Sequence, residues 1–468
     1  MNWKLTNALL LSALALTPVL SHAQTGASLW LTNPDKSALL QLQTLPIPFT
    51  TSAAAGNLTI DIDDKKTYQS IDGFGFALTG GSAQLIAHMD PDKRAALLRE
   101  LFTTDDNNIG VSYLRLSVGA SDMNDHVYSY DDLPEGQTDP NMGKFSIEPD
   151  RADVIPVLKE ILALDPKIKI LASPWSAPLW MKTSGVARGG VLKPEYFGAY
   201  AIYWVKYIQA MKAEGITIDT LTIQNEPLNE KNTPSMLMLE SEQDDFIKNH
   251  LGPAFQKAGI KTKITLYDHN LDHPLYPLSI LRDPQANKYI DGTAFHLYGG
   301  TVDAMTQVHD AFPAKNIYFT EQSVTARNGN SMMNVGRPVA RIVIGATRNW
   351  SKNVLLWNLA ADPQFGPHTN DGGCTGCQGA LTIDGNNITR NLAYYTVAHA
   401  SKFVRPGSVR IDSSNSETLP NVAFKTPQGK TVLIVANSGA ASQDFNIRYK
   451  GKSFAATLGA GSVGTYIW

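Results

Sequence analysis

Cysteine is almost absent from this 468-residue chain: there are two, Cys374 and Cys377, in GGCTGCQG. A fold held up by a framework of several disulfides is therefore excluded, and two thiols alone make a poor zinc site. In an exported chain the pair reads as a small local disulfide; the competing reading, a thioredoxin-like redox pair, needs a strand before it and a helix after it, and the glycines around it read as loop. Charge is also sparse. Charged residues make up 18% of the chain and the formal net charge is −3, with no basic run and no Arg/Lys stripe, which argues against nucleic acid as a partner. Beyond the N-terminus no stretch is long and apolar enough to cross a membrane. No G-x-S-x-G elbow occurs. The segment GFGFALTGG at 73–81 does not match G-x-G-x-x-G. His269, His273 and His296 show no tight ligand spacing. No metal and no cofactor is expected.

What is present begins with a targeting pattern. Lys4 gives a positive start, Ala8 to Leu20 is almost wholly apolar, and Ser21-His22-Ala23 offers small residues at the −3 and −1 positions for cleavage before Gln24. The run is shorter than a membrane anchor needs, so a secreted or periplasmic chain is expected. The length suggests two or three domains, or one large barrel with an addition.

After short strand and turn signals over residues 28–63, Ser70 to Gly81 carries four glycines, so backbone approaches something closely there. Strand and helix patterns then alternate. Asp90-Pro91 starts a helix, with Asp90 as its N-cap. Apolar strands follow at 111–118, 168–172, 221–223, 263–267, 293–297, 317–320 and 354–357, with helical stretches between them. The strands end in Arg115, Trp175, Glu226, Asp268, His296, Glu321 and Trp357. Polar and aromatic residues at successive strand ends are the pattern of a (β/α)8 barrel, whose strand C-termini converge on one face. A doubly wound sheet is the alternative. From about Ala400 short strands separated by Gly/Ser/Asn turns read as a β-sandwich. The expected division is a leader at 1–23, N-terminal strands at 24–68 that join the sandwich, a barrel at 69–395 and a C-terminal sandwich at 396–468.

The stretch LTIQNEPLN at 221–229 places Glu226 at the lip of a buried strand that Pro227 ends. YFTEQ at 318–322 does the same for Glu321. Paired carboxylates suit glycosidic bond cleavage: one protonates the leaving oxygen and the other attacks or stabilises the anomeric carbon. The acid must stay protonated near neutral pH, which burial and a negative neighbour can achieve. Trp175 and Trp357 directly follow apolar strands and are expected in the mouth, where sugar rings stack on aromatic faces. His296 and Tyr298 flank Leu297 and share one side of an extended chain, in reach of the sugar or of Glu321. Taken singly, each has a structural alternative: a salt-bridged carboxylate, a core tryptophan, a core histidine.

The chain resembles glycoside hydrolase family 30, the family of acid β-glucosylceramidase and microbial β-1,6-glucanases. The resemblance runs from about residue 68 to the C-terminus and rests on an ordered set: DGFGFALTGGSA, YLRLSVGASD, ASPWSAPLWMK, TIQNEPLN, FHLYGG, YFTEQ, WNLAADPQFGP, ASKFVRPGS and the closing TYIW. It implies a (β/α)8 barrel joined to a β-sandwich, with hydrolysis that retains configuration. By motif matching it makes Glu226 the acid/base and Glu321 the nucleophile, and has Arg115, Asp122, Trp175, Asn225, His296, Tyr298 and Trp357 line the subsite for the first sugar. Animal-type glucosylceramidases carry an acidic residue where Thr79 is here followed by Gly80-Gly81, which removes a polar handle near that sugar. This departure, with the CTGC loop, favours β-1,6-linked glucan as the substrate. Glucosylceramide is the alternative, and a non-catalytic glycan-binding protein a further one.

Overall fold

A computed structural model describes residues 26–325, 334–371 and 373–468. The expected leader at 1–23 lies outside the described residues. Eight parallel strands close into a barrel: β1 Gly73–Leu78, β2 Tyr113–Ser117, β3 Lys169–Ser173, β4 Thr220–Thr222, β5 Lys263–Asn270, β6 Ile290–His296, β7 Asn316–Glu321 and β8 Ser351–Asn358. Each strand pairs with its sequence neighbours, and β8 pairs with β1. Helices cover the outer face, so the strands are buried on both sides, which is why they read as apolar runs rather than alternating ones.

The first strand is the glycine-rich segment, which the sequence pattern gives as a close approach and not as a strand. A Cβ at Gly75 would stand 1.9 Å from the carbonyl oxygen of Tyr113 on β2. The glycine is what lets β1 and β2 pair. Tyr113, Leu171 and Leu355 then fill the barrel interior. After β1, Thr79 caps the helix Gly80–Ala87 by accepting from the Ser82 N–H. Asp90 stands at the N-cap position of Pro91–Phe102, as expected, but its side chain makes no cap bond; it accepts from Asn386 Nδ2 at 2.8 Å.

The sandwich joins both ends of the chain. Gly26–Thr32 pairs with Val463–Ile467, and Leu58–Ser70 lies between Val409–Ser413 and Gln443–Tyr449 in one ten-stranded sheet. Alternation along its strands builds two interfaces. Ala423, Leu433, Val435, Phe445 and Tyr466 face the sandwich core. Val422, Phe424, Val432, Ile434 and Val463 belong instead to the core that runs through the barrel's helical layer. The helix Leu392–Ser401 spans the expected boundary at 395/396. It is bolted to the sandwich by His399, whose ring nitrogens meet Thr465 Oγ1 at 2.9 Å and Thr32 Oγ1 at 2.8 Å. Burial pushes His399 down to about 3, so this imidazole stays neutral and serves as a core hydrogen-bonding group. Among the described residues no helix is long and apolar enough to cross a membrane.

Because Ile434 is wedged between sandwich and barrel, Ile434→Ala is expected to cost about 2–5 kcal/mol. The two parts should still unfold in one transition; urea titration followed by tryptophan emission and by far-UV dichroism checks both points.

Candidate active site

Glu226 and Glu321 come from strands that are not neighbours, yet their carboxylates meet above the barrel. Together with a His296 ring nitrogen, one carboxylate oxygen of each lies within 4.8 Å of the others. Glu321 ends β7. Its Oε2 accepts from Arg115 Nη1 at 2.5 Å and its Oε1 from the Tyr298 hydroxyl at 2.9 Å. Glu226 follows β4 with φ of 44°, a left-handed conformation that a non-glycine residue rarely takes. The turn is tied down by its N–H, which donates to the Asp268 carbonyl at 3.0 Å. Its Oε1 is 3.0 Å from His296 Nδ1, and its Oε2 accepts from Asn229 Nδ2 at 2.7 Å.

Beneath the two glutamates lies a fully buried carboxylate, Asp268. Its Oδ1 accepts from His296 Nε2 at 3.0 Å and Thr320 Oγ1 at 2.6 Å. Its Oδ2 accepts from Arg115 Nη2 at 2.8 Å, Ser173 Oγ at 2.8 Å and Thr222 Oγ1 at 2.6 Å. Arg115 Nη2 also donates to Asn225 Oδ1 at 2.6 Å, and its guanidinium sits 4.8 Å from the Trp175 ring centroid and 5.8 Å from that of Trp357. Burial opposes charge on Asp268, but Arg115, His296 and the hydroxyl donors outweigh it and hold the carboxyl well below its ordinary range.

The same balance decides where a proton rests. Burial would lower His296, but the charges of Glu321 and Asp268, and hydrogen bonds to Asp268 and Glu226, raise it to about 9. Burial would raise Glu226, but the hydrogen bond and charge of His296 hold it down at about 2. This balance places the proton of the pair on the imidazole, with both ring nitrogens donating. This corrects the expectation of a glutamic acid kept protonated by burial and a negative neighbour: Glu226 has that neighbour, but a cation lies closer. Burial is the leading influence on Glu321 and its pKa is raised, with His296 and Arg115 opposing. Asp122 is pushed up to about 7, by burial first and then by Glu321, and its Oδ1 is buried with no hydrogen-bond partner.

A cavity of about 590 Å³ opens over these groups. Of the residues expected at the site, Asp122, Glu226, Tyr298, Glu321 and Trp357 line it. Arg115, Trp175, Asn225 and His296 lie one layer below, where their hydrogen-bonding and stacking capacity goes into holding the others; Trp175 packs behind Trp357 with ring centroids 5.2 Å apart. Cys374 and Cys377 form a disulfide whose two residues reach the cavity wall and pack with Trp175, Trp357 and Met123. A disulfide of this kind fits an oxidising compartment. Gly80 faces away from the cavity's wall: a Cβ there would stand 1.9 Å from Asn124 Nδ2, so the room left by the missing side chain is filled by Asn124 and not by a sugar. Sequence reading missed the role of Asp268, although its strand-end position was the available signal, and gave none to Asn229 or Ser323, for which no sequence signal exists. Among the described residues, Glu226, His296 and Glu321 are the one group spaced to ligate a metal ion.

A closed eight-stranded barrel with two strand-end carboxylates, a buried Arg/Asp/His support and a tryptophan wall defines a glycoside-cleaving class of protein. The chain belongs to glycosyl hydrolase family 30: the model of that family's TIM-barrel domain matches residues 71–404, and that of its beta sandwich domain residues 407–466. It is a glycoside hydrolase. It is 34% identical over 412 residues to the endo-1,6-beta-D-glucanase neg1 of Aspergillus fumigatus, covering 83% of this chain and 82% of that protein. Over 439 residues it is 28% identical to the lysosomal acid glucosylceramidase of Mus musculus, covering 88% and 83%. Among solved structures, the endo-beta1,6-glucanase BT3312 superposes with a TM-score of 0.86 at 34% identity, over 95% of this chain and 99% of that one.

Removing Asp268 would strand two buried cations. Asp268→Ala is expected to cost about 3–5 kcal/mol, the range for breaking one side of a buried ion pair. Asp268→Asn should cost less, and both should lower kcat; denaturant unfolding and initial rates measured together check this.

Proposed function

We propose that the chain is an exported enzyme that cleaves β-1,6-linked glucan at internal bonds with retention of configuration, using Glu321 as nucleophile and Glu226 as acid/base. The observation that carries the reading is that one oxygen of each carboxylate lies within 4.8 Å of the other, which fits the roughly 5–5.5 Å between carboxyl groups in retaining enzymes better than the roughly 6.5–9.5 Å that leaves room for a direct water attack. The leader pattern at 1–23 and the disulfide support export. The 34% identity to endo-1,6-beta-glucanases, against 28% to a glucosylceramidase, supports the linkage.

Glu321, ionised and aimed by Arg115 and Tyr298, attacks the anomeric carbon while Glu226 passes a proton to the departing C6 oxygen of the next glucose. The C1–O bond breaks and a glucosyl ester forms on Glu321. As positive charge develops at C1, the field of Glu321 that sustains the His296 cation is cancelled, so the proton that Glu226 delivers comes from His296 Nδ1 across their 3.0 Å contact, which leaves Glu226 ionised and His296 neutral. Glu226 then takes a proton from water, whose oxygen attacks C1 from the face the leaving group vacated, and the ester breaks. Two inversions give net retention.

Products, variants and pH dependence each test this reading. Product analysis on a β-1,6-glucan should show a ladder of oligosaccharides; monomer or dimer alone would point to end-wise action, and lipid release from glucosylceramide without action on the glucan would reverse the substrate assignment. Glu321→Gln should lower kcat on the order of 10⁴-fold or more while glucan binding persists. The pH profile of kcat/KM should be a bell. Its acid limb lies above the ordinary carboxylate value of 4.5, because Glu321 is raised and must be ionised. Its alkaline limb lies near 9, where the His296 proton is lost. In His296→Gln the alkaline limb should move downward, since Glu226 must then hold its own proton.

A further inference from the structure

One imidazole in the cavity wall takes no part in this chemistry. His269 is the residue after Asp268 near the end of β5, and it lines the cavity together with Glu226, Asn229 and Asn270. It is 7% exposed, and its Nδ1 is buried with no hydrogen-bond partner. The backbone leading to it is strained. Tyr267 and Asp268 both lie in the left-handed region, with φ of 71° and 65°. The register against β6 slips there: Tyr267 pairs with Ala294 and His269 with Phe295, leaving Asp268 as the extra residue of a bulge. Two consecutive non-glycine residues at positive φ persist only where the surroundings fix them, and such positions gather at functional sites.

The polar groups around Glu226 differ in what they have left to offer. Asn229 Nδ2 is committed to Glu226 Oε2, and Asn270 Oδ1 accepts from the Tyr298 N–H at 2.9 Å. Of the three, His269 is the one with a buried nitrogen unsatisfied. Burial outweighs the pull of Glu226 and lowers His269 to about 4, so the ring is neutral; with Nδ1 buried, Nε2 is the nitrogen left to meet a sugar hydroxyl, as donor or acceptor. The groups that hold Glu321, namely Arg115 and Tyr298, belong to the sugar that is attacked. The sugar that departs must carry its oxygen to Glu226, and His269 stands beside that glutamate.

We propose that His269 is the fixed polar contact for a hydroxyl of the sugar on the leaving-group side, and so selects a saccharide over a small aglycone as the departing group. This rests on the reading that the substrate is a β-linked glucan. The binding energy of that contact is available only when a sugar occupies the leaving-group position, so it should appear in one class of substrate and not in another.

The test compares full-length enzyme with His269→Ala and His269→Gln on two substrates. One is a β-1,6-linked glucotetraose; the other is 2,4-dinitrophenyl β-gentiobioside, whose leaving group has no hydroxyl. With the tetraose, kcat/KM should fall about tenfold or more in His269→Ala and recover in part in His269→Gln, as for loss of one hydrogen bond to a bound group. With the aryl glycoside it should stay within about twofold of wild type, with an unmoved pH profile. Equal losses on both substrates would make His269 a structural residue and overturn the proposal; so would a shifted alkaline limb, which would make it part of the proton path, or an unchanged tetraose rate. Retained aryl-glycoside activity also shows that the variants fold. A wild type that ignores the tetraose but cleaves another glucan would overturn the linkage reading instead, and the same comparison on that glucan would then decide the role of His269.

Discussion

The site depends on one buried carboxylate. Asp268 collects donors from Arg115, His296, Ser173, Thr222 and Thr320. By doing so it fixes two cations, and each cation holds one of the two strand-end glutamates: Arg115 holds Glu321, and His296 holds Glu226. Three carboxylates, those of Glu226, Asp268 and Glu321, face the two cations of Arg115 and His296 in a largely buried cluster. The excess is one negative charge, next to the position where the anomeric carbon becomes positive. A site built this way favours the transition state over the ground state, because the missing charge arrives only during the reaction and the groups that meet it do not move.

The fold supplies the rigidity this requires. Arg115, Ser173, Thr222, Asp268, His296, Thr320 and Glu321 lie on six barrel strands, so every hydrogen bond to Asp268 is also a cross-link between strands at the barrel's open end. Three positive-φ non-glycine residues, Glu226, Tyr267 and Asp268, gather at that end, each near or beyond the C-terminal end of its strand. The sandwich packs against the helical layer outside the barrel. Its sheet is buried on both faces, with Leu433 turned into its own core and Ile434 into the barrel's surroundings, which joins the two parts without any residue of the reacting centre.

The barrel was legible because a parallel sheet covered by helices has a simple sequence mark: apolar runs ending in functional residues. It failed at Gly73–Leu78, where glycine is needed for strand approach and so disguises a strand as a loop. The two glutamates were legible because each ends such a run beside a polar amide, Asn225 or Gln322. Asp268 was visible as a strand end, but its importance comes from five donors that arrive from distant parts of the chain, which spacing along the sequence does not encode. The location of the proton was misread for a related reason. Burial and a nearby negative charge both argue for a protonated Glu226, and chiefly the approach of His296, itself charged because Glu321 and Asp268 face it, reverses the outcome. Gly80 was assigned to the sugar by analogy with a side chain found elsewhere; here Asn124 fills that space.

The central claim is that the resting enzyme keeps its proton on His296 and not on Glu226. Nitrogen NMR of the imidazole in ¹⁵N-histidine-labelled enzyme, assigned through His296→Gln, measures this directly. Both ring nitrogens of His296 should carry protons at neutral pH and should titrate together near 9. A His296 that is neutral at pH 7, with one bare nitrogen, would contradict the account and return the proton to the glutamate.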